Sequence, residues 1–274
     1  MIVAPKGKVL VSVDLSQAES WVVAHLAREP NMQYSLKNSD IHTDTAAALS
    51  HPDNFCVHSW KKSGDEYVCQ KCEVIIVKSG RYIGKQYNHA SAYRMKPPRA
   101  AQVINKQSDK PPFVTVTLGE SKTYSERWHK RYNLKIWWSE IEEELNKTRS
   151  LTTPYGRKRV FFGQWGDELF REATAYVPQS TVADHFNGMV HPKLGIVGGL
   201  REIHKQLILP YCDRVIINQS HDSCIIECPK SDGLEVAMQM QTLVKRPLVI
   251  HDVEFTIPVD GEIGERLGEL EKVA

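Results

Sequence analysis

The sequence predicts an α+β fold, with an antiparallel sheet and its helices joined to a mostly helical region that carries a small insertion. Three observations support this prediction. The chain opens with an alternating strand at 9–13, two apolar runs near its end flank the polar tip 218–223, and several helical stretches lie between them. If the opening strand and the late hairpin are neighbours, they form one sheet.

The composition bounds the class of protein. The 274 residues are 41% hydrophobic and 25% charged, as expected for a folded chain with one large core or two modest ones. A net charge of +2 is too small to indicate a nucleic-acid partner by itself. No apolar run is long enough to cross a bilayer, and residues 1–8 lack the apolar core of a secretory signal. We therefore expect a soluble, cytoplasmic protein without a membrane partner.

The first predicted unit is a strand, a turn and a helix. Alternation over 9–13 places Asp14 at the end of the strand, on its polar side. A helix is expected over 16–26, because Ser16 and Glu19 have the spacing of a capping box and an apolar stripe follows.

The middle of the chain is predicted to be helical around one irregular segment. Residues 50–79 are rich in Pro, Gly, Cys and charge, which indicates an insertion with its own local stabilisation. Helical patterning resumes over 81–95. After a proline-bracketed loop at 97–112, residues 125–145 have the pattern of one long amphipathic helix.

The last part is predicted to mix helix and strand. A turn at 154–156 precedes a helix over 169–186, which Pro178 could interrupt. The hairpin at 215–226 and a further strand at 253–259 complete the prediction.

Two aspartates stand out because each lies at the end of an apolar strand. A buried carboxylate is costly unless it is paired or binds a cation. If the strands are neighbours, Asp14 and Asp222 could hold two divalent metals about 3.5–4 Å apart, the arrangement used in phosphoryl transfer. Position alone favours the alternative that Asp222 is an ordinary turn residue.

A predicted helix carries a cationic face. Arg81, Lys85, His89 and Tyr93 recur at four-residue spacing and so lie along one side of it. Arg and Lys one turn apart can grip a triphosphate, the Arg with its planar fork and the Lys as a compact charge that can protonate a leaving group. The alternative is a solvated basic face.

The six cysteines form two groups. Cys56, His58, Cys69 and Cys72 offer four ligands of the kind that bind a structural zinc ion, with reduced surface cysteines or ligation by His51 as alternatives. The second group lies among apolar neighbours and predicts core packing; its members are Cys212, Cys224 and Cys228.

Five ordered segments, covering the chain from about residue 3 to its end, resemble motifs of family A DNA polymerases of the bacterial polymerase I type. They are Asp14-Leu15-Ser16-Gln17-Ala18-Glu19 with Asp40-Ile41-His42-Thr43, Arg81-x-x-x-Lys85-x-x-Asn88-His89-x-x-x-Tyr93, Thr153-Pro154-Tyr155-Gly156-Arg157, Gln179-Ser180-Thr181-Val182-Ala183-Asp184, and His221-Asp222 after Gln219. Five matches in the same order as the family's motifs argue against chance similarity.

The resemblance implies template-directed DNA synthesis from deoxynucleotides. Asp14 and Asp222 are implied to bind two magnesium ions, with Lys85 as the third catalytic residue. The implied nucleotide-binding residues are Arg81, Lys85, His89, Tyr93, Glu19 and Gln17. Glu19 is implied to crowd the 2′ position of the sugar and so to exclude ribonucleotides.

The resemblance also implies a DNA-binding set and a division into domains. The residues implied to lie along primer-template DNA are Arg157, Arg171, Gln179 and His221. The palm is expected over 1–20 and 151–274, and the fingers over 21–150, with the zinc-binding insertion at 51–79. The source implied is a bacterial cell or a phage-infected host.

Several positions depart from the family pattern. His89 stands where a Phe or Tyr usually packs on the sugar, which predicts a different discrimination among sugar analogues. Arg94 replaces the glycine that normally follows the tyrosine, and Ser223 replaces an acidic residue beside Asp222. Leu15 replaces a common aromatic, and Trp21 stands where a basic residue is frequent.

The family normally carries a thumb and an exonuclease or exonuclease-like domain ahead of the first motif. The chain is therefore expected to be the palm and fingers part of a split or truncated polymerase, with a split gene, a truncated gene product and a fragment all open. Our hypothesis is that an N-terminal partner polypeptide supplies the thumb and exonuclease. Two other functions stay open: a non-catalytic DNA-binding replication scaffold, and a single-subunit RNA polymerase, against which Glu19 speaks.

Overall fold

We analysed a computed structural model, which describes residues 2–54, 56–106 and 108–273. The ten helices and twelve strands found in these ranges are, in chain order, β1 Lys8–Leu15, α1 Ala18–Leu26, α2 Pro30–Asn38, α3 Ile41–Ser50, β2 Trp60–Ser63, β3 Glu66–Cys69, β4 Ile75–Val77, α4 Lys78–Ala92, α5 Pro97–Asn105, α6 Leu118–Arg131, α7 Lys135–Thr148, β5 Ser150–Thr152, β6 Lys158–Val160, α8 Asp167–Asn187, α9 Gly199–Ile203, β7 Val215–Ser220, β8 Ser223–Pro229, α10 Gly233–Val244, β9 Pro247–Ile250, β10 Val253–Thr256, β11 Val259–Gly264 and β12 Glu271–Lys272. A π-helical turn, His204–Ile208, follows α9 directly.

The chain forms two compact units. Unit 1 comprises residues 1–22, 152–159 and 177–274, and unit 2 comprises 23–151 and 160–176. In the part of the chain that the structure describes, no helix combines the length and the apolar character that a membrane-spanning segment needs.

Unit 1 is built on a five-stranded antiparallel sheet with the order β12-β11-β1-β8-β7. The valines of β1 are buried, and α10 covers the sheet with a face that includes Val236 and Met240. The start of α10 comes so close that a Cβ on Gly233 would lie 2.5 Å from Cδ1 of Ile263. The predicted α+β fold and the pairing of the first strand with the late hairpin are confirmed.

Unit 2 is mostly helical and contains a three-stranded antiparallel sheet, β2-β3-β4, in the segment predicted to be an insertion. Helices α3 and α4 make close backbone contact: a Cβ on Gly84 would lie only 2.2 Å from the carbonyl oxygen of His42. Glycine at this position therefore sets how closely the two helices approach.

The prediction of one long helix over 125–145 is wrong. Helix α6 ends at Arg131 and α7 begins at Lys135, because Tyr132 has extended backbone angles of φ −122° and ψ 124°. The extended residue buries its whole ring, and its hydroxyl lies 3.0 Å from Oγ1 of Thr45. Tertiary burial has outweighed the local helical pattern.

Three smaller expectations also need correction. Helix α8 runs through Pro178 without a break, held by buried residues on both sides of it. Helix α1 begins at Ala18 and not at Ser16, where the capping-box spacing predicted its start, since Gln17 has a left-handed φ of 57°. Cys212 is exposed, whereas the other two members of its group are buried as predicted.

Candidate active site and metal centre

Strand register brings Asp14 and Asp222 together in unit 1. Asp14 pairs across the sheet with Ser223, and the amide of Leu15 donates a hydrogen bond of 3.1 Å to the carbonyl oxygen of Asp222. Asp14 is exposed although β1 is buried on either side of it, and Asp222 is half-buried. One carboxylate near a strand end and one in the adjoining hairpin turn suit a hard cation such as Mg²⁺, which prefers oxygen ligands.

The turn that carries Asp222 is tight. His221 has a left-handed φ of 46°, a region that two-residue hairpin turns require and that non-glycine residues seldom adopt. Its Nε2 lies 3.5 Å from Oε1 of Glu19. The Glu19 carboxylate raises the pKa of the His221 imidazole, and Asp222 acts in the same direction against the effect of burial. Glu19 and His221 are therefore neighbours of the aspartate pair.

The sequence offered no sign of a third carboxylate at this site. Asp260 of β11 pairs directly with Asp14, so their side chains leave the same face of the sheet. Its carboxylate accepts a hydrogen bond of 2.9 Å from Nζ of Lys272. The strand predicted at 253–259 ended too early to reveal this pairing.

The cationic residues of the predicted helix belong to α4 in unit 2. Arg81, Lys85 and His89 lie within the helix, while Tyr93 occupies the position that ends it. Lys85 is exposed and the other three are half-buried. Arg94, at the position where the family has glycine, adopts a left-handed φ of 61°.

Arg81 has a carboxylate partner, Asp40, at the start of α3. Its Nε lies 2.5 Å from Oδ2 and one of its amino groups 3.3 Å from Oδ1. Burial acts to raise the pKa of Asp40, but the hydrogen bond and charge of Arg81 outweigh it and hold this pKa below its ordinary value. Asp40 also caps α3 by accepting from the amide of His42.

A buried polar network lies behind this pair. Asn88 of α4 contacts Nδ1 of His42 at 3.1 Å, and its side-chain oxygen accepts hydrogen bonds from Thr45 and from the Trp128 indole. Burial is the main reason that the pKa of His42 is strongly lowered, so this imidazole is neutral. The network fixes α3 against α4 and α6.

The Cys/His group converges at one end of the three-stranded sheet. Ligand atoms of Cys56, His58, Cys69 and Cys72 all lie within 4.8 Å of one another. Sγ of Cys56 is 3.9 Å from Sγ of Cys69, and Sγ of Cys72 is 3.5 Å from Nδ1 of His58. Three sulfurs and one imidazole in this spacing suit a tetrahedral zinc ion, which sits about 2.3 Å from sulfur.

The thiols of this cluster differ in acidity. Burial acts to raise the pKa of Cys69, but backbone hydrogen bonds from Ser59 and Lys71 and a contact with His58 outweigh it and lower this pKa to about 6. For Cys56, burial and the neighbouring thiols raise the pKa to about 11. One sulfur is thus prepared as a thiolate, the form that binds metal. We call β2, β3, β4 and this cluster the knuckle.

The four residues expected on DNA occupy different surroundings. Arg157 donates from its Nε to both carboxylate oxygens of Asp184, at 2.9 and 3.0 Å, yet its own side chain is half exposed. Gln179 is exposed and Arg171 is half-buried. His221 lies beside Glu19, as described above. The sequence did not reveal Asp184 as the partner of Arg157.

Comparison with known proteins identifies the family. A family model described as DNA polymerase family A matches residues 1–269. The chain belongs to DNA polymerase family A. Its curated relatives include the DNA polymerase I proteins of Helicobacter pylori, 24% identical over 98% of this chain and 26% of that protein, and of Aquifex aeolicus, 24% identical over 96% and 40%.

A solved structure shows the same fold. It is the POL domain of Pol1 from M. smegmatis in complex with DNA primer-template and dNTP, with a TM-score of 0.66 and 19% sequence identity. The similarity covers 96% of this family A chain and 41% of that one. The chain therefore spans less than half the length of each of these relatives.

Proposed function

We propose that this family A chain extends a DNA primer with deoxynucleotides, the primer 3′-hydroxyl attacking the α-phosphate and releasing pyrophosphate. The observation that carries the proposal is the strand register that brings Asp14 and Asp222 side by side. In this proposal unit 1 acts as the palm and unit 2 as the fingers, close to the boundaries expected from sequence.

Each candidate residue has a chemical role. Asp14 and Asp222 hold two magnesium ions, which when bound stabilise the attacking and leaving oxygens. Arg81 and Lys85 bind the triphosphate, and Lys85 donates a proton to the departing pyrophosphate. Glu19, held near the hairpin turn by His221, blocks a ribose 2′-hydroxyl, while Gln17, His89 and Tyr93 contact the nucleotide.

The DNA contacts belong to the same proposal. Arg157, Arg171, Gln179 and His221 contact the primer-template, and the Asp184 carboxylate fixes the Arg157 guanidinium for that purpose. The knuckle holds a structural zinc ion. A second polypeptide supplies the thumb and exonuclease that family members carry, because the thumb provides much of their grip on DNA.

Primer extension tests the proposal. The purified chain is given primer-template and magnesium with either deoxynucleotides or ribonucleotides, and Asp222→Asn is the matched variant. We expect extension with deoxynucleotides alone, lost in Asp222→Asn while DNA binding persists. Extension with ribonucleotides would instead identify an RNA polymerase, and binding without extension by the unaltered chain, even with its partner, would identify a scaffold.

A further inference from the structure

The knuckle contacts Arg81 through the ring of Tyr67. We propose that the knuckle orients Arg81 for the incoming triphosphate and that Tyr67 is the positioning residue. This inference rests on the proposed role of Arg81 in nucleotide binding. It assigns a purpose to a metal-binding insertion that neither the family match nor the chemistry of the reaction explains.

Arg81 is held from two directions. Asp40 accepts hydrogen bonds from its Nε and one amino group, which fixes the plane of the guanidinium. The ring of Tyr67 lies against that group, with 5.6 Å between the guanidinium carbon and the ring centroid. This separation is within the range of a cation–π interaction. The two partners together define both the plane and the position of the cation.

The remaining side of the guanidinium suits an anion. Arginine presents five N–H donors in a flat fork, and the Asp40 contact uses the Nε side of it. In the planar guanidinium the other amino group lies outside the edge that faces Asp40, and from there it can donate to a phosphate oxygen. A positioned arginine binds phosphate better than a mobile one, because less side-chain freedom is lost on binding.

Strand pairing in the knuckle fixes Tyr67. Tyr67 is in the middle strand, β3, and pairs with Lys62 on one side and Ile76 on the other. Ile76 is buried against Ala46 and Ala47 of α3, so the sheet is anchored on the helix that Asp40 caps. Strand β4 then leads directly into α4, the helix of Arg81.

The metal cluster fixes the same strand. Cys69 follows Tyr67 on the same face of β3, because alternate residues of a strand point the same way. The ligands Cys56 and His58 precede β2, so a bound ion closes the base of the β2–β3 hairpin. The His58 ring stacks on Trp60 at 4.6 Å, and the Trp60 indole donates a hydrogen bond of 2.7 Å to Asp44 of α3.

Charge argues against a DNA-binding role for the knuckle. Residues 51–79 contain four lysines and four acidic residues, so the segment has no net positive charge. A surface that binds DNA needs clustered Lys and Arg. The contacts described above instead join the knuckle to α3 and to Arg81, which favours an internal supporting role.

A double-mutant cycle tests the role of Tyr67. The affinity for deoxynucleotide is measured by titration with primer-template present, for Tyr67→Leu, Tyr67→Phe and Arg81→Ala, alone and combined. We expect Tyr67→Leu to weaken binding about 2- to 30-fold, the range for losing one cation–π contact, and Tyr67→Phe to change it less than about 2-fold. In the Arg81→Ala background, Tyr67→Leu should cause no further loss.

The control background is Lys85→Ala, a change on the same helix as Arg81. There the full effect of Tyr67→Leu should persist, because Tyr67 acts through Arg81 and not through Lys85. If Tyr67→Leu weakens deoxynucleotide binding equally in the unaltered, Arg81→Ala and Lys85→Ala backgrounds, the variant damages the fold in general. That result would overturn the inference. So would a Tyr67→Leu variant that binds deoxynucleotide as tightly as the unaltered chain.

A second readout does not depend on nucleotide binding. The NMR signal of the Arg81 Nε–H group should show a ring-current shift in the zinc-loaded chain and in Tyr67→Phe. It should lose that shift in Tyr67→Leu and after zinc is removed by a chelator. A chain that binds no nucleotide but shows these shifts would contradict the proposed function alone, whereas an unchanged signal in Tyr67→Leu or after chelation would contradict this inference.

Discussion

The two candidate metal sites of this chain are built in opposite ways. The aspartate pair joins residues far apart in the chain through strand register in the five-stranded sheet, and its oxygens suit a hard cation. The Cys/His cluster gathers ligands from one short segment at the end of a three-stranded sheet, and its sulfurs suit zinc. The first arrangement therefore depends on the whole fold, whereas a metal bound at the second would stabilise the short segment around it.

The largest expected effect is a loss of primer extension in a variant of the aspartate pair. This variant separates the chemical role of a metal from a structural one. Asp14→Asn removes a charged ligand from the aspartate pair and should lower primer extension about 1,000-fold or more, since bound metals contribute several kcal/mol to such transition states. Its zinc content, measured by elemental analysis, should stay the same. The thermal midpoint should also change little, because Asp14 is exposed.

Two other results for Asp14→Asn would contradict this contrast between the aspartate pair and the Cys/His cluster. A variant that keeps most of its extension activity would remove Asp14 from the metal site. Loss of zinc together with activity would indicate that the two sites depend on each other.

The second-largest expected effect is a loss of stability when the Cys/His cluster is changed. Cys72→Ser should abolish stoichiometric zinc binding and lower the free energy of unfolding by about 3 kcal/mol or more, because metal-binding energy is folding energy in such segments. Calorimetry and elemental analysis measure the two quantities. Cys212→Ser is the matched control, since Cys212 is an exposed cysteine outside the cluster and should change neither. Equal stability of the two variants would contradict a structural metal.

The sequence predicted these two sites for different reasons. Spacing alone identified Cys56, His58, Cys69 and Cys72, because the ligands of a local site are close in the chain. Asp14 and Asp222 could be joined only by assuming that their strands are neighbours, an assumption that the resemblance then supported. The structure has Asp14 near the end of β1 and Asp222 in the hairpin turn beside it, next to Ser223, the strand partner of Asp14.

Partners that depend on tertiary packing were not predictable. Asp40 and Tyr67 contact Arg81 only because α3 and the knuckle pack beside α4, and no local pattern encodes that packing. The same holds for Tyr132, where helical periodicity continued through a residue that the fold extends in order to bury its ring. Hydrophobic periodicity describes one segment of the chain at a time, whereas these contacts form between several segments.

The smallest effect concerns Asp260, the residue that the sequence missed at the aspartate pair. It shares a face of the sheet with Asp14, and Ser223 leaves the family's third motif one carboxylate short. Asp260→Asn removes a nearby negative charge, and it should raise the magnesium concentration needed for half-maximal extension about 2- to 5-fold, the size expected for one partly screened charge. The maximal rate should change less than the magnesium requirement.

The control for this prediction is Asp252→Asn, which also removes an aspartate of unit 1 that is paired with a lysine. Asp252 contacts Lys193 beside the separate sheet of β9 and β10, so its loss should leave the magnesium requirement unchanged. A similar rise of the magnesium requirement in both variants would mean that this requirement depends only on the net charge of the protein. If neither variant shifts the requirement, the Lys272 ammonium already neutralises Asp260, and the magnesium site is confined to Asp14 and Asp222.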